Sequence, residues 1–322
     1  MKPTIAVSMG DPAGVGPEII LRACADARVR RSCAPVVVGD RGLLDHLATR
    51  LKLPRLPEGM VRGVTSLDLA KLVPGVASAE CGRAMVAYIE EAVRMASSGE
   101  AAAVVTAPIT KEAARLAGFG YPGHTEFIAH LTGTKDFRMM LGGAGPKDLK
   151  VVLVTIHVPL KDVPVLVTRA AVYKTLCITA AAFERDLGVK RPRIAVAGLN
   201  PHAGEAGMFG DEEKRVIAPA VSRARSGGID AVGPLPADTV FYRAVRKNEF
   251  DCVVCMYHDQ GLGPLKLLHF EDGVNATLGL PIVRTSPDHG TAYDIAWKGK
   301  ASAESLVCAV RMAVRMARNR GR

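Results

Sequence analysis

Aromatic residues are scarce in this chain: they make up 5% of its 322 residues, with a single tryptophan, Trp297. So thin a supply argues against a surface that stacks the bases of a nucleic-acid strand. Long apolar runs are also missing. No stretch reaches the roughly 18 uninterrupted apolar residues that a membrane span needs. Met1-Lys2-Pro3-Thr4 leads into an apolar run that ends by Gly10-Asp11, too short for a signal peptide and without a cleavage site, so a cytoplasmic protein is expected. Paired cysteines are lacking as well. The seven cysteines are odd in number and lie mostly within apolar runs, which predicts buried thiols of a reducing compartment. Cys252 and Cys255 have CxxC spacing, but in a strand that spacing sends the two side chains to opposite faces, so neither a redox nor a zinc role is expected.

What is present is apolar and basic. Hydrophobic residues reach 48%, enough to build a sizeable core. Lys and Arg outnumber Asp and Glu by 42 to 32, which favours acidic partners. The positive charge is scattered, apart from Arg311, Arg315, Arg318 and Arg322, whose spacing is that of the solvated face of a terminal helix. Small acidic molecules, rather than nucleic acid or membrane, are the expected partners.

Apolar runs alternate with helical patterns along the chain. Strands are predicted at Thr4–Ser8, Val36–Gly39, Ala102–Thr106, Lys150–Ile156, Arg193–Ala197, Asp251–Met256 and Pro281–Val283. Amphipathic segments such as Cys81–Ser97, Thr168–Asp186 and Asp211–Ser226 lie between them. This order predicts an α/β fold with a largely parallel sheet buried on both faces. The turn Gly142–Pro146 is expected to be a domain joint.

Three histidines stand just past three apolar runs: His157 after Val151–Ile156, His202 after Ile194–Pro201, and His258 after Cys252–Tyr257. Ligands of open α/β sheets bind beyond the carboxyl ends of strands. Three imidazoles delivered there can share one divalent metal, or else serve as separate loop histidines. His46, His130 and His269 read as structural. Gly10–Glu18 follows a strand and precedes a helix, as a phosphate loop does, but fits no glycine-rich fingerprint; the plainer reading is a strand-to-helix turn.

Further polar segments are Gly123-His124-Thr125-Glu126, Asn200–Glu205, Tyr257–Gly261 and Asp288–Ala292. In order along Ile5–Ala301, the elements GDPAGxGPE, GHTE, LNPHAGE, PLPADT, YHDQGL and VNxTLGLPxxRTSxDHGTA resemble the 4-hydroxythreonine-4-phosphate dehydrogenase family of vitamin B6 biosynthesis. The resemblance implies oxidation of 4-phosphooxy-L-threonine with NAD or NADP and a divalent metal (Zn, Mg, Mn or Co), then loss of CO2 to give 3-amino-2-oxopropyl phosphate. It implies His157, His202 and His258 as metal ligands, and His124, Thr125, Lys266, Asn275 and Arg284 as substrate contacts. It also implies a homodimer whose site lies at the subunit interface, with one metal histidine supplied by the partner.

The stretch from Asp288 to Ala296 is also similar to the cofactor segment of isocitrate and isopropylmalate dehydrogenases. That likeness implies two α/β domains with a cleft, not a Rossmann fold, with His289, Gly290, Thr291 and Asp294 at the cofactor. The first domain is expected over residues 1–131 plus 266–322 and the second over 132–265. Trp297 stands where that pattern usually has glycine, and a bulky ring there is expected to narrow or rearrange the cofactor loop. Asp259, Asp238 and Lys111 are the candidates for acid–base work, Asp259 being equally suited to orient a histidine. The same chemistry on 4-phospho-D-threonate or erythronate is the alternative. Oxidation of an aromatic cis-dihydrodiol, or metabolite binding without turnover, fits the motifs less well.

Overall fold

The computed structural model describes residues 2–145 and 148–321, so Met1, Pro146, Lys147 and Arg322 lie outside the described residues. The chain divides into two compact units, Met1–Lys135 with Leu280–Arg322, and Asp136–Gly279. Both joints fall later in the chain than residues 132 and 266, and Lys266 and Asn275 therefore belong to the second unit.

The first unit begins β1 (Thr4–Ser8), α1 (Gly16–Ala25), α2 (Ala27–Ser32), β2 (Ala34–Asp40), α3 (Arg41–Arg50), β3 (Val61–Thr65). It continues α4 (Ala79–Ser97), β4 (Ala103–Thr106), α5 (Lys111–Leu116) and α6 (His124–Leu131). The second unit runs β5 (Arg138–Gly142), β6 (Lys150–Leu153), α7 (Val163–Leu166), α8 (Arg169–Arg185), β7 (Ile194–Ala197). It ends α9 (Ala218–Ser226), β8 (Ala231–Leu235), α10 (Ala237–Val245), β9 (Cys252–Cys255), α11 (His258–Leu268), β10 (Val274–Leu278). The chain then returns to the first unit with β11 (Arg284–Pro287) and α12 (Glu304–Arg320).

Strands of the first unit lie in the order β3-β2-β1-β4-β11, all parallel. In the second unit the order is β10-β5-β6-β9-β7-β8, with β10, β5 and β6 antiparallel and the rest parallel. The Val-rich strands β1, β4, β6, β7 and β9 are buried nearly end to end, as parallel strands covered on both faces must be. Helices start where side chains cap them: Asp40 accepts from the Leu43 amide, Ser78 from Cys81 and Thr168 from Ala171. In the second unit Leu141, Val151, Leu153, Val253 and Cys255 form a core with Val240, Leu262 and Leu265 from the helices.

Two sequence expectations need correction. Gly142 closes β5 inside the second unit, so the glycine-rich turn is not a joint between units; its last residue, Pro146, lies outside the described residues. Pro281–Val283 is not a strand. Pairing begins at Arg284, and Arg284–Pro287 is buried throughout although its residues are polar. The seven cysteines are free thiols. Burial raises the pKa of Cys252 and Cys255, so both are inert at neutral pH.

Candidate active site

In the first unit the polar candidates gather at the carboxyl ends of β1, β4 and β11. Gly10–Gly14 does not read as a phosphate cradle, because its Asp11, Ala13 and Gly14 amides are spent within the protein. Asp11 N–H donates to the Pro108 carbonyl, Ala13 N–H to the Asp11 carboxylate, Gly14 N–H to the Asp11 carbonyl, and Val15 N–H to the Thr291 carbonyl. Asp11 is fully buried and also accepts from the Thr110 hydroxyl and, at 2.6 Å, from Tyr293 OH. Glu18, equally buried in the first turn of α1, accepts from the Gly299 and Ala301 amides at 3.1 Å and from Arg22 at 3.2 Å. These two carboxylates fasten the segment Thr291–Ala301 to the start of α1.

That segment and the two residues before it carry the expected cofactor residues. Gly290 is not in a left-handed conformation, and a Cβ added to it would meet open space. The protein's own packing therefore does not require glycine there, whereas close approach of a bound group would. This suits a nicotinamide cofactor lying against the backbone. His289 is exposed, its Nδ1 on the Gly290 carbonyl at 2.9 Å. Asp294 is exposed. Thr291 is used structurally: its carbonyl takes the Val15 amide and its hydroxyl lies 3.3 Å from that of Thr110. Lys111 is exposed at the start of α5.

Arg284 is buried on β11 and donates to the Thr106 hydroxyl at 2.7 Å. Desolvation lowers its pKa to about 10, with Glu126 opposing the shift. His124 opens α6; burial first, and the Arg284 charge second, hold its imidazole neutral, well below the ordinary histidine range. The residue as a whole is half-buried, but its Nε2 is enclosed and has no hydrogen-bond partner among the described residues. Thr125 is buried beside it in the chain. A buried guanidinium and an unsatisfied ring nitrogen are groups suited to an anion.

In the second unit β6 and β9 run parallel as neighbours, so the turns that follow them bring His157 and His258 together, ring centroids 5.4 Å apart. They line an open pocket of about 250 Å³ with Ile156 and Tyr257. The His258 Nδ1 is 2.7 Å from the Asp259 carboxylate. With its proton held there, Nε2 keeps a lone pair for a metal. His202, after β7, is not in this cluster; it is exposed, its Nδ1 is 3.2 Å from Glu205, and its ring lies against Phe209. Among the described residues no group of three or more His, Cys, Asp or Glu side chains is placed to hold a metal. Two of the three expected ligands are therefore adjacent within one subunit and the third is not.

The loop that carries His202 has an unusual backbone. His202, Ala203, Gly204, Glu205 and Ala206 all have positive φ, forming a left-handed turn. Each non-glycine residue there costs roughly 1–2 kcal/mol. The surroundings must therefore enforce it. Buried Glu213 accepts from the Leu199 and Asn200 amides, both at 2.7 Å, and from the Asn200 side chain at 3.0 Å. Gln260, two residues past His258, takes the Met256 amide at 2.7 Å and donates to the Gly198 carbonyl at 2.6 Å. Thr155 donates to the Met256 carbonyl at 2.7 Å. The exits of all three histidine-bearing strands are thus joined by buried hydrogen bonds.

Lys266 is half-buried on α11, its ammonium 5.4 Å from the Phe270 ring centre. Asn275 lies on β10 with a buried Oδ1 that has no partner among the described residues. Asp238 is exposed in the first turn of α10. Asp259 is itself exposed, so it acts on the His258 ring from the solvent side.

Known proteins resemble this chain along nearly its whole length. The family model described as pyridoxal phosphate biosynthetic protein PdxA matches residues 31–313. The chain belongs to the PdxA family. It is 52% identical to a 4-hydroxythreonine-4-phosphate dehydrogenase from Geobacter metallireducens, over 99% of this chain and 97% of that one. It is 42% identical to a D-threonate 4-phosphate dehydrogenase from Salmonella typhimurium, over 98% and 99%. A crystal structure of 4-hydroxythreonine-4-phosphate dehydrogenase from Klebsiella pneumoniae superposes with a TM-score of 0.88 at 43% identity, covering 98% of each chain. A beta-decarboxylating dehydrogenase from Thermococcus kodakarensis, at 15% identity and a TM-score of 0.50 over 96% and 82%, shares the fold. PdxA membership makes the chain a dehydrogenase acting on a CH–OH group.

Within this PdxA-family chain, Trp297 departs from the expected glycine in residue type but not in backbone. Its φ is 59°, in the region that favours glycine. The buried indole donates to the Pro12 carbonyl at 3.1 Å and packs near His46 and Arg50 of α3. The other two histidines read as structural have local partners: His130 lies against Tyr121, and His269 meets Asp272 at 3.1 Å. Sequence reasoning missed Asp11, Glu18, Glu213 and Gln260. The first two and Gln260 lay in segments singled out for their polarity; Glu213, in a helical pattern, gave no signal. Among the described residues no single helix is long and apolar enough to cross a membrane.

Proposed function

We propose that this chain oxidises the secondary hydroxyl of 4-phosphooxy-L-threonine with NAD and one divalent metal, and releases CO2 and 3-amino-2-oxopropyl phosphate. The observation that carries the reading is the pair His157 and His258, side by side at adjacent strand ends, with the His258 Nδ1 held by Asp259. That is how a protein presents imidazole to a metal. The full-length likeness to proteins bearing this name supports the substrate.

The third ligand is His202 from a second copy of the chain, which makes the enzyme a homodimer. Leu267 and Phe270, 86% and 76% exposed, together with Val165, Leu160 and Met208, give the second unit an apolar exterior suited to being covered. Arg284 and the Nε2 of His124 take the anionic end of the substrate, with Thr125 beside them; Lys266 adds a second cation and Asn275 a polar contact. Asp259 fixes the ring of His258. Proton transfer falls to Lys111 or Asp238, both exposed. His289, Gly290, Thr291 and Asp294 border the nicotinamide cofactor, which accepts the hydride. A divalent ion on the three histidines would favour loss of hydride from the hydroxyl and then polarise the carbonyl as CO2 leaves. Free, buried thiols suit a reducing cytoplasm.

D-threonate 4-phosphate is the second reading, favoured by the Salmonella typhimurium relative. The deciding experiment follows NADH formation with each phosphorylated substrate, with and without added metal, before and after chelation. Rapid turnover of the threonine phosphate that stops on chelation is expected. Turnover confined to the threonate would transfer the enzyme to that reaction, and metal-independent turnover of either would end the metal assignment.

A further inference from the structure

We infer that Glu213 is a positioning residue for the metal ligand His202, acting through the backbone and touching neither metal nor substrate. The inference rests on the proposed role of His202. Glu213 is 5% exposed and belongs to a single π-helical turn, Glu213–Ile217, far along the chain from the strand it serves. Its Oε1 accepts two successive backbone amides, Leu199 and Asn200, immediately before the left-handed turn. Its Oε2 accepts from the Asn200 side chain, which is also held by Glu212 at 2.7 Å.

Glycines complete the fit. A Cβ on Gly204 would come within 2.6 Å of Oε2, and one on Gly198 within 3.2 Å of Oε1. The carboxylate thus fills a space that the loop's own glycines leave for it, on both sides of His202. An unfavoured run of positive φ persists only where its ends are fixed. Glu213 fixes the entry at Leu199 and Asn200, and the Gly204 backbone closes over it. The consequence for the metal is preorganisation: a histidine on a loose loop must be ordered on binding, and that cost weakens affinity.

Glutamine has the shape of glutamate but replaces one acceptor oxygen with an NH2 group. Whichever way it is turned, a donor faces a donor, either the two amides or the Asn200 side chain. Zinc ion is the probe, titrated into the intact protein against a competing chelator, with far-UV circular dichroism and melting run in parallel. Glu213→Gln is expected to bind zinc about 10- to 100-fold more weakly, the range seen when a ligand's support is removed. Hydrogen exchange at Leu199 and Asn200 is expected to speed up while the amides of β6 and β9 stay protected. Should Glu213→Gln fail to fold, Glu213→Asp carries the test: the charge remains but its reach is shorter, and a smaller loss of affinity is expected.

His202→Ala separates the two levels of the argument. Abolished zinc binding in His202→Ala with wild-type affinity in a folded Glu213 variant overturns the positioning role alone. Wild-type affinity in His202→Ala overturns the metal reading and this inference with it. A fall in melting temperature without a change in zinc affinity makes Glu213 a purely structural residue and also overturns it.

Discussion

The two units hold their polar residues in opposite ways. In the first, Asp11 and Glu18 are buried and every oxygen named has a partner from the same unit. Arg284 is buried with them, and the enclosed Nε2 of His124 has no partner among the described residues. In the second, the histidines stand at the surface, His202 with a side chain 62% exposed on a strained turn, next to exposed Met208 and Phe209. A unit that leaves ligand-type side chains outside its core, among apolar neighbours, suits the proposed completion by a second copy. The first arrangement buries its polar groups; the second leaves them at the surface, as the proposed homodimer would need.

The largest effect expected from this contrast is at His202. His202→Ala should abolish metal-dependent turnover and leave the melting curve nearly unchanged, because the side chain is exposed and its contacts in its own unit are with exposed Glu205 and Phe209. Metal content and turnover, measured together, check this. Remixing sharpens it. Inactive His202→Ala and the weakened Lys266→Ala, refolded together, should give roughly a quarter of wild-type activity, above the residual activity of Lys266→Ala alone, if the two residues meet across a dimer. No recovery would mean that the second unit is complete in one subunit.

Lys266→Ala comes next. Losing a charge-assisted contact costs roughly 1.5–3 kcal/mol, about ten- to a hundredfold in kcat/KM. Steady-state kinetics on the phosphorylated substrate should show this with cofactor affinity intact; unchanged kinetics would remove Lys266 from the substrate contacts.

A pH effect belongs to the first unit. Burial and Arg284 keep His124 neutral, with a pKa well below its ordinary value of 6.5. Below pH 6.5 the unfolded chain takes up a proton that the folded chain refuses, so stability falls as pH falls, by up to about 1.4 kcal/mol per pH unit. The slope should vanish in His124→Gln when melting is followed from neutral to mildly acidic pH. An unaltered slope would show that His124 is solvated.

Gly290→Ala should have the smallest effect on folding, under about 0.5 kcal/mol, since the new methyl meets open space. Its effect should appear instead as a raised KM for the nicotinamide cofactor. Equal KM values would remove Gly290 from the cofactor site.

Much of this was legible in the sequence. Thr4–Ser8 was placed to the residue, and β4, β6, β7 and β9 to within a few, because a strand buried on both faces must read as an unbroken apolar run. β10 and β11 were hidden for the opposite reason: Asn275, Arg284, Thr285 and Ser286 put polar side chains into strands. The pairing of His157 with His258 followed from their position after two strands, once those strands proved to be neighbours. The isolation of His202 was not legible from spacing, since it depends on a left-handed turn held by a glutamate eleven residues on (213 − 202). Side chains that act through backbone amides leave no periodic pattern, which is why Glu213 and Glu18 escaped notice.

Trp297 has one consequence of a different kind. It is the chain's single indole, buried on the segment that carries Gly290 and Asp294 and tied by its N–H to the loop before α1. Ultraviolet emission from this protein therefore originates, as far as tryptophan is concerned, at one known place. Reduced nicotinamide absorbs where indole emits. A titration with NADH would turn Trp297 into a one-donor optical ruler, reporting binding at the proposed cofactor segment without labels, without substrate and without catalysis.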